Sequence, residues 1–322
     1  MLVIVEGVDG VGKSTFVEQL THLITSIEHH DDVEKLKAGP PDPELDILEE
    51  YELAIQGYRP GQHTHVVCDR WHVGELIYGP ILRGTSRLDL ARLTHLEMFL
   101  RSRGALVVHL TAPPLEIIER RKRRGEMDLL ADDQVELVLH EYMDVLWDTA
   151  TRTRIGYWGQ NTQEDVKLLR EMMSYAWDLD LAARPLEEFP TYIGPPKPEY
   201  LLLGEQRNTR PDDRWEAAFV PVPTGNSGHY LLSNLPPELR VKAGIANALE
   251  EDLTGLLAAL DYPNVVALGK EAHNAVSEIS WKHGTVPHPQ YWRRFYHDHK
   301  VVYRRILREA ALFGEDLLSW RP

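Results

Sequence analysis

The 322-residue chain carries a formal charge of −15, 43% hydrophobic residues and a single cysteine, Cys68. The length exceeds one ordinary core and points to two domains. No apolar run approaches the roughly 18 residues that span a bilayer, one cysteine excludes a disulfide framework or cysteine-based metal cluster, as suits a reducing cytoplasm, and the negative sign argues against broad, non-specific nucleic-acid binding.

Leu2–Val5 is short and apolar, lacks the basic flank of a secretory signal, and reads as a buried strand. It runs into Gly7-x-x-x-x-Gly12-Lys13-Ser14, and an amphipathic pattern follows over Thr15–Ile27. Strand, glycine turn and helix start make a P-loop, whose backbone N–H groups wrap phosphate oxygens at the positive end of a helix. Gly7, Asp9, Gly10, Gly12, Lys13, Ser14 and Thr15 form the expected ATP-binding set. Lys13, exposed in the empty loop, would reach the β/γ-phosphates, and the Ser14 hydroxyl would sit on Mg²⁺.

The strand Val66–Cys68 ends in Asp69-Arg70-Trp71. A carboxylate at a strand's carboxyl end beside a P-loop is placed to hold Mg²⁺ or orient an acceptor phosphate, and the adjacent Arg70 to bind that phosphate bidentately. A helix over Leu88–Arg101, a strand at Leu106–Leu110 and a helix over Leu115–Arg124 follow. The basic run within Glu119–Asp128, broken by Gly125, suits a lid closing over phosphates, with Arg120 and Arg124 in it. A helix over Asp132–Thr149 and a strand at Ile155–Tyr157 precede Gln160-Asn161, where a loop would meet the adenine of ATP. Thr162 opens a closing helix to Trp177 as N-cap, with Asp165 completing a variant capping box. The alternation predicts a parallel sheet covered by helices.

The prolines of Arg184–Glu199 read as a semi-rigid linker, so the expected division is residues 1–183, a linker at 184–198, and a second, smaller α/β domain at 199–322. Strands are expected at Tyr200–Leu203, Val241–Ala246 and Val265–Leu268. The first 198 residues hold 21 Lys+Arg against 34 Asp+Glu, and the remainder 14 against 16. Arg293, Arg294, Lys300, Arg304, Arg305 and Arg308 form a basic cluster that reads as a solvated helix face or a nucleic-acid edge. His29-His30, His63 with His65, and His297 with His299 lack convincing metal-ligand spacing, and Trp147, Trp158, Trp177 and Trp281 read as core or interface aromatics.

Val5-Glu6-Gly7-Val8-Asp9-Gly10-Val11-Gly12-Lys13-Ser14-Thr15, Asp69-Arg70-Trp71 and Arg124-Gly125-Glu126-Met127-Asp128 together resemble the thymidylate kinase family and the wider deoxynucleoside monophosphate kinases. The resemblance implies a three-layer P-loop kinase with a five-stranded parallel sheet, ATP·Mg²⁺ as donor and a deoxynucleoside monophosphate as acceptor. It places Asp9 near the acceptor sugar, Arg70 at the acceptor phosphate, and Arg120 and Arg124 in the lid. Lys37-Ala38-Gly39-Pro40-Pro41 stands where the family has an acceptor-binding Arg segment, and Trp71 replaces the commoner Tyr, Phe or His, so the acceptor pocket is not standard.

In the second half, Gly204-Glu205-Gln206-Arg207-Asn208, Phe219-Val220-Pro221-Val222-Pro223, Asn264–Ala272 and Pro287-His288-Pro289 resemble the uracil-DNA glycosylase superfamily. The resemblance implies a pocket in which Glu205 orients water, Phe219 stacks on a base, Asn247 reads the base edge and His288 stabilises the departing base. Arg207-Asn208 and Gln290 depart from the superfamily's motifs.

The combined expectation is ATP- and Mg²⁺-dependent phosphoryl transfer to a deoxypyrimidine nucleotide, dTMP or a modified relative, by a homodimeric cytoplasmic protein of phage type. The catalytic set is Lys13, Asp69, Arg70, Arg120 and Arg124, with Ser14 and Asp69 as Mg²⁺ ligands. The second domain would bind a base, a nucleotide or DNA. A kinase acting on 5-hydroxymethylpyrimidine in DNA, with Asp9, Asp69 or Glu75 as base, and a DNA-binding or repair protein with a P-loop switch are the alternatives.

Overall fold

A computed structural model of the chain describes residues 1–28, 33–37, 46–55, 58–62, 64–125, 130–148, 151, 153–159, 162–206, 217–221 and 226–321. The fold is mixed α/β with two parallel sheets. The chain divides into two compact units, Met1–Leu88 with Arg103–Arg184, and Asp89–Ser102 with Pro185–Pro322.

In chain order the first part runs β1 (Leu2–Glu6), α1 (Lys13–Glu28), β2 (Val33–Lys37), α2 (Ile47–Ala54), β3 (His65–Asp69), α3 (His72–Arg83), α4 (Leu90–Ser102), β4 (Leu106–Thr111), α5 (Pro114–Arg124), α6 (Val135–Asp148), β5 (Thr153–Tyr157) and α7 (Gln163–Ala183). The first unit's sheet has the order β2-β3-β1-β4-β5, all parallel. β1 lies between β3 and β4 and all five of its residues are buried, which is why it reads as an unbroken apolar run up to Glu6. α7 starts as expected: the Asp165 N–H donates to Thr162 Oγ1 (3.1 Å), and the Thr162 N–H to Asp165 Oδ2 (2.8 Å). It then continues past Trp177 to Ala183, because apolar positions such as Leu169, Met172, Ala176 and Ala183 keep one face buried.

The second unit continues with β6 (Tyr200–Gly204), α8 (Ser227–Ser233), α9 (Pro237–Lys242), β7 (Ala243–Asn247), α10 (Leu253–Ala259), β8 (Asn264–Leu268), α11 (Lys270–Glu278), β9 (His283–Val286), α12 (Pro289–Phe295) and α13 (Lys300–Phe313). Its sheet has the order β7-β6-β8-β9, all parallel. The first strand thus sits between the second and third, and the winding reverses between β6 and β8. The carboxyl ends at such a reversal open a crevice.

Two features differ from the sequence expectation. The helix α4, expected to cover the first sheet, belongs to the second unit and packs on α8. Arg101 donates to the carbonyls of Arg240 and Val241 at the end of α9, and Asp89 pairs with Arg92 (2.7 Å) and His229 (3.2 Å). The semi-rigid linker expected at 184–198 packs into the core of the second unit. Arg184–Leu186 form a turn of 3₁₀ helix, and Leu186, Phe189 and Tyr192 join Leu201, Leu203 and Val265 in one core. Ile193 pairs antiparallel with Ile245. Prolines bar a helix there, but the aromatic and aliphatic residues between them still bury.

Candidate functional site

The first candidate site lies at the carboxyl ends of β1 and β3. Gly7, Gly10 and Gly12 take φ values of 145°, 87° and 107°, which lets the loop turn its backbone inward before α1 begins. Lys13 is buried, not exposed as expected: its Nζ donates to the carbonyls of Gly7 (2.8 Å) and Val8 (3.0 Å) and lies 3.6 Å from Asp9 Oδ1. The ammonium satisfies its donors on the loop's own oxygens. Burial pushes it down to about 8, against the opposing pull of Asp69 and Glu6. Ser14 is exposed and Thr15 half-buried on the first turn of α1.

β3 delivers Asp69 beside this loop, and the Ser14 hydroxyl donates to its Oδ2 at 2.8 Å. Arg70 follows in the left-handed region, with φ of 70°. Its guanidinium pairs with Asp9 and lies over the Tyr78 ring, 5.2 Å from the centroid, while the Asp9 N–H donates to the Tyr78 hydroxyl (3.2 Å). Ser14 thus meets Asp69, Asp9 meets both Lys13 and Arg70, and Asp69 is close enough to act on the charge of Lys13. Glu75 on α3 is committed elsewhere: both its oxygens accept from Arg83 Nη2 (2.6 Å each), and Oε1 also takes the Arg87 N–H (2.8 Å).

The basic helix α5 contributes in two ways. Arg120 is buried, donating to the carbonyls of Val11 and Trp158 (2.8 Å each) and pairing with Glu116. It ties the P-loop to the segment after β5 and does not stand open as a lid arginine; a guanidinium has enough donors for three acceptors, a capacity that sequence position alone does not reveal. Arg124 ends α5 before the left-handed cap Gly125, is exposed, and is close enough to help push Lys13 down. Glu126–Asp128 and Gln160-Asn161 lie outside the described residues, as do Lys37's successors 38–41 and the histidines at 29, 30 and 63. Trp158 is a core residue, edge-on to Phe16, whereas Trp177 is more than one-third exposed, Trp281 is half-buried, and the Trp147 side chain is outside the described residues.

A second candidate site lies in the second unit, at its crevice. Gly204 ends β6 and Glu205 follows it, Asn247 ends β7, Gly269 follows β8 and His288 lies just beyond β9. A Cβ on Gly204 would overlap the Phe219 ring and stand 3.0 Å from Asn247 Oδ1. One on Gly269, whose φ is 106°, would stand 2.6 Å from Glu205 Oε1 and 3.1 Å from His288 Cβ. The Phe219 and His288 rings are 6.0 Å apart. The four residues singled out from the sequence, Glu205, Phe219, Asn247 and His288, thus converge. Burial raises the Glu205 carboxyl, offset by the Glu271 N–H at the start of α11. Burial pushes His288 down to about 4, and its Nδ1 accepts the Gln290 N–H (3.2 Å). The imidazole is therefore neutral near pH 7 with its proton on Nε2, a donor and not a cation. Asn247 Nδ2 donates to Glu250 Oε2 (2.7 Å). Residues 207–216 and 222–225, with the Arg207-Asn208 and Val222-Pro223 expectations, lie outside the described residues. In the basic cluster Arg305 pairs with Glu309 (3.8 Å) and Arg308 with Glu238 (2.9 Å).

No group of three or more His, Cys, Asp or Glu among the described residues is disposed to hold a metal ion, and no described helix is long and apolar enough to cross a membrane. No family model and no curated protein matches the chain. Among solved structures, the YorR protein from Bacillus subtilis, in complex with phosphorylated GDP, is similar over 54% of this chain and 94% of its own, at 20% identity and a TM-score of 0.43. A thymidylate kinase from Ehrlichia chaffeensis is similar over 54% of this chain and 96% of its own, at 16% identity and a TM-score of 0.32.

Proposed function

We propose that the first unit transfers the γ-phosphate of ATP to the phosphate of a deoxypyrimidine nucleotide, dTMP or a modified relative. The observation that carries this reading is the junction of P-loop and β3: Ser14 bonded to Asp69, with Arg70 paired to Asp9 beside Lys13. One set of groups suits donor phosphates and its neighbour suits an acceptor phosphate.

Lys13 leaves the carbonyls of Gly7 and Val8 for the β/γ-phosphates, and the loop's N–H groups hold their oxygens. Arg70 exchanges Asp9 for the acceptor phosphate, and Asp9 is freed toward the acceptor sugar. An acceptor oxygen attacks the γ-phosphorus in line, the bond to the β,γ-bridging oxygen breaks, and ADP leaves with that electron pair. Arg124 offsets charge on the transferring group, a role supported by its influence on the charge of Lys13. The second ionisation of a phosphomonoester lies near 6, so the acceptor needs no base. That suits a site where Glu75 is held by Arg83 and Arg87, Asp69 by Ser14, and Asp9 turns to the acceptor sugar, and it favours a phosphate acceptor over a hydroxymethyl one.

Ser14 and Asp69 present a hydroxyl and a carboxylate oxygen 2.8 Å apart. Neighbouring ligands of an octahedral Mg²⁺ stand about 2.9 Å apart, so this pair fits the ion. Bound there, Mg²⁺ would neutralise phosphate charge.

The convergence of Glu205, Phe219, Asn247 and His288 supports a second role, glycosylase-like binding of a base, nucleotide or DNA by the second unit without cleavage. Phe219 supplies a stacking face, and Asn247 and the His288 Nε2–H supply edge contacts. Glu205-dependent release of uracil from single-stranded DNA would overturn the non-cleaving part of this reading.

Labelled ATP, offered with deoxynucleoside monophosphates and with DNA containing 5-hydroxymethylpyrimidine, tests the whole. Label on a free pyrimidine nucleotide is expected. Label on DNA alone would replace this reading with the DNA kinase. ATP binding without transfer would replace it with the regulatory switch.

A further inference from the structure

Glu6 is the last residue of β1, wholly buried, and the mechanism above does not use it. Its Oε1 accepts the N–H groups of Trp71 (2.8 Å) and Gly74 (3.3 Å), and the Tyr142 hydroxyl donates to Oε2 (3.3 Å). The first-turn amides of a helix need acceptors from outside it. Trp71, at the N-cap of α3, has an indole that cannot accept, so β1 supplies the missing cap across the sheet. The preceding amide, that of Arg70, donates to the Val5 carbonyl at 2.9 Å. β1 therefore grips consecutive amides on both sides of the left-handed Arg70, a conformation that non-glycine residues adopt only when held.

We infer that Glu6 is a positioning residue for the acceptor: by clamping the amides of Trp71 and Gly74 it fixes the turn that presents Arg70, and it joins that turn to the first residue of the P-loop. The inference rests on the kinase reading. A glutamine keeps the oxygen that both amides use and offers its NH₂ to the Tyr142 hydroxyl, whereas a leucine of similar size offers no acceptor.

The test uses the full chain with dTMP as acceptor, comparing Glu6→Gln and Glu6→Leu, each alone and combined with Arg70→Ala. Glu6→Leu is expected to raise the KM for dTMP by more than threefold and no further than Arg70→Ala does, with the Kd for ATP within threefold of wild type. Glu6→Gln is expected to stay within threefold for both. In the Arg70→Ala background Glu6→Leu should add less than twofold, because the residue it acts through is gone. The same loss in both backgrounds, or a glutamine as damaging as the leucine, would overturn the inference. Glu6→Val, suited to a strand, takes the place of Glu6→Leu if that variant does not fold. Amide exchange over residues 70–76 reads the clamp without activity: it should quicken in the leucine variant and not in the glutamine variant, and an unchanged rate in the leucine variant also overturns the inference. A wild-type chain that phosphorylates no monophosphate would instead refute the kinase reading, and the acceptor role with it, while the exchange still reports whether Glu6 holds the turn.

Discussion

Replacing Arg70 by alanine separates the two halves of the first site. On the proposed reading the guanidinium would make a charge-assisted bond to the acceptor phosphate, a contribution of about 1.5–3 kcal/mol. In the free protein the same group pairs with Asp9, the two side chains 27% and 12% exposed, and giving up that pair costs about 1 kcal/mol, the upper end for solvated pairs. The net loss is about 0.5–2 kcal/mol, a two- to thirtyfold rise in acceptor KM. On the donor side little changes, because Asp9 keeps Lys13 at 3.6 Å and the Lys13 contacts to the Gly7 and Val8 carbonyls do not involve Arg70. Calorimetric titration with ATP and steady-state kinetics in the acceptor read the two sides independently. An ATP Kd that rises as far as the acceptor KM, or an acceptor KM that does not move, would refute the placement of Arg70.

Lys13, held down to about 8 by burial, is cationic below that pH, and bound phosphate favours the cation. ATP affinity should therefore be flat from about pH 7 to 8, where the terminal phosphate is already ionised, and fall above that by up to about tenfold per pH unit with proton uptake on binding there, and Lys13→Ala should abolish both that fall and transfer; calorimetry in buffers of different ionisation enthalpy checks the uptake. In the second unit Phe219→Ala should weaken base or nucleotide binding about ten- to a hundredfold, since stacking contributes roughly 1–3 kcal/mol. Equilibrium binding must be measured on the full chain, because a fragment starting at Pro185 would lack α4. Gly269→Ala forces a Cβ to within 2.6 Å of Glu205 Oε1 at a φ of 106°, and a strain of about 1–3 kcal/mol should lower the melting temperature by about 2–10 °C.

Much of both sites is local in sequence and was legible there. The glycine spacing before Lys13-Ser14, the Asp69-Arg70 pair at a strand end and the Thr162–Asp165 box each place their chemistry within a few residues. Glu205, Phe219, Asn247 and His288 were singled out by the glycosylase resemblance, and three of them lie at strand ends, which parallel sheets gather at one edge. What escaped is set by long-range partners. Lys13 turns onto its own loop, Arg120 spends its donors on carbonyls from distant segments, and Glu6 caps a helix 65 residues away from it in sequence. The assignment of α4 was equally hidden, since helix periodicity identifies an apolar face and not the sheet or helix that covers it. β9 is short, and its sequence His-Gly-Thr-Val carries little strand signal.

The most direct test of the central claim is ³¹P NMR of the full-length chain incubated with ATP, Mg²⁺ and dTMP. The diphosphate signals of ADP and of the phosphorylated acceptor should grow in equal amounts, and neither should appear with Lys13→Ala. ATP left intact, or consumed only to inorganic phosphate with no acceptor diphosphate formed, would contradict phosphoryl transfer to this nucleotide by the first unit.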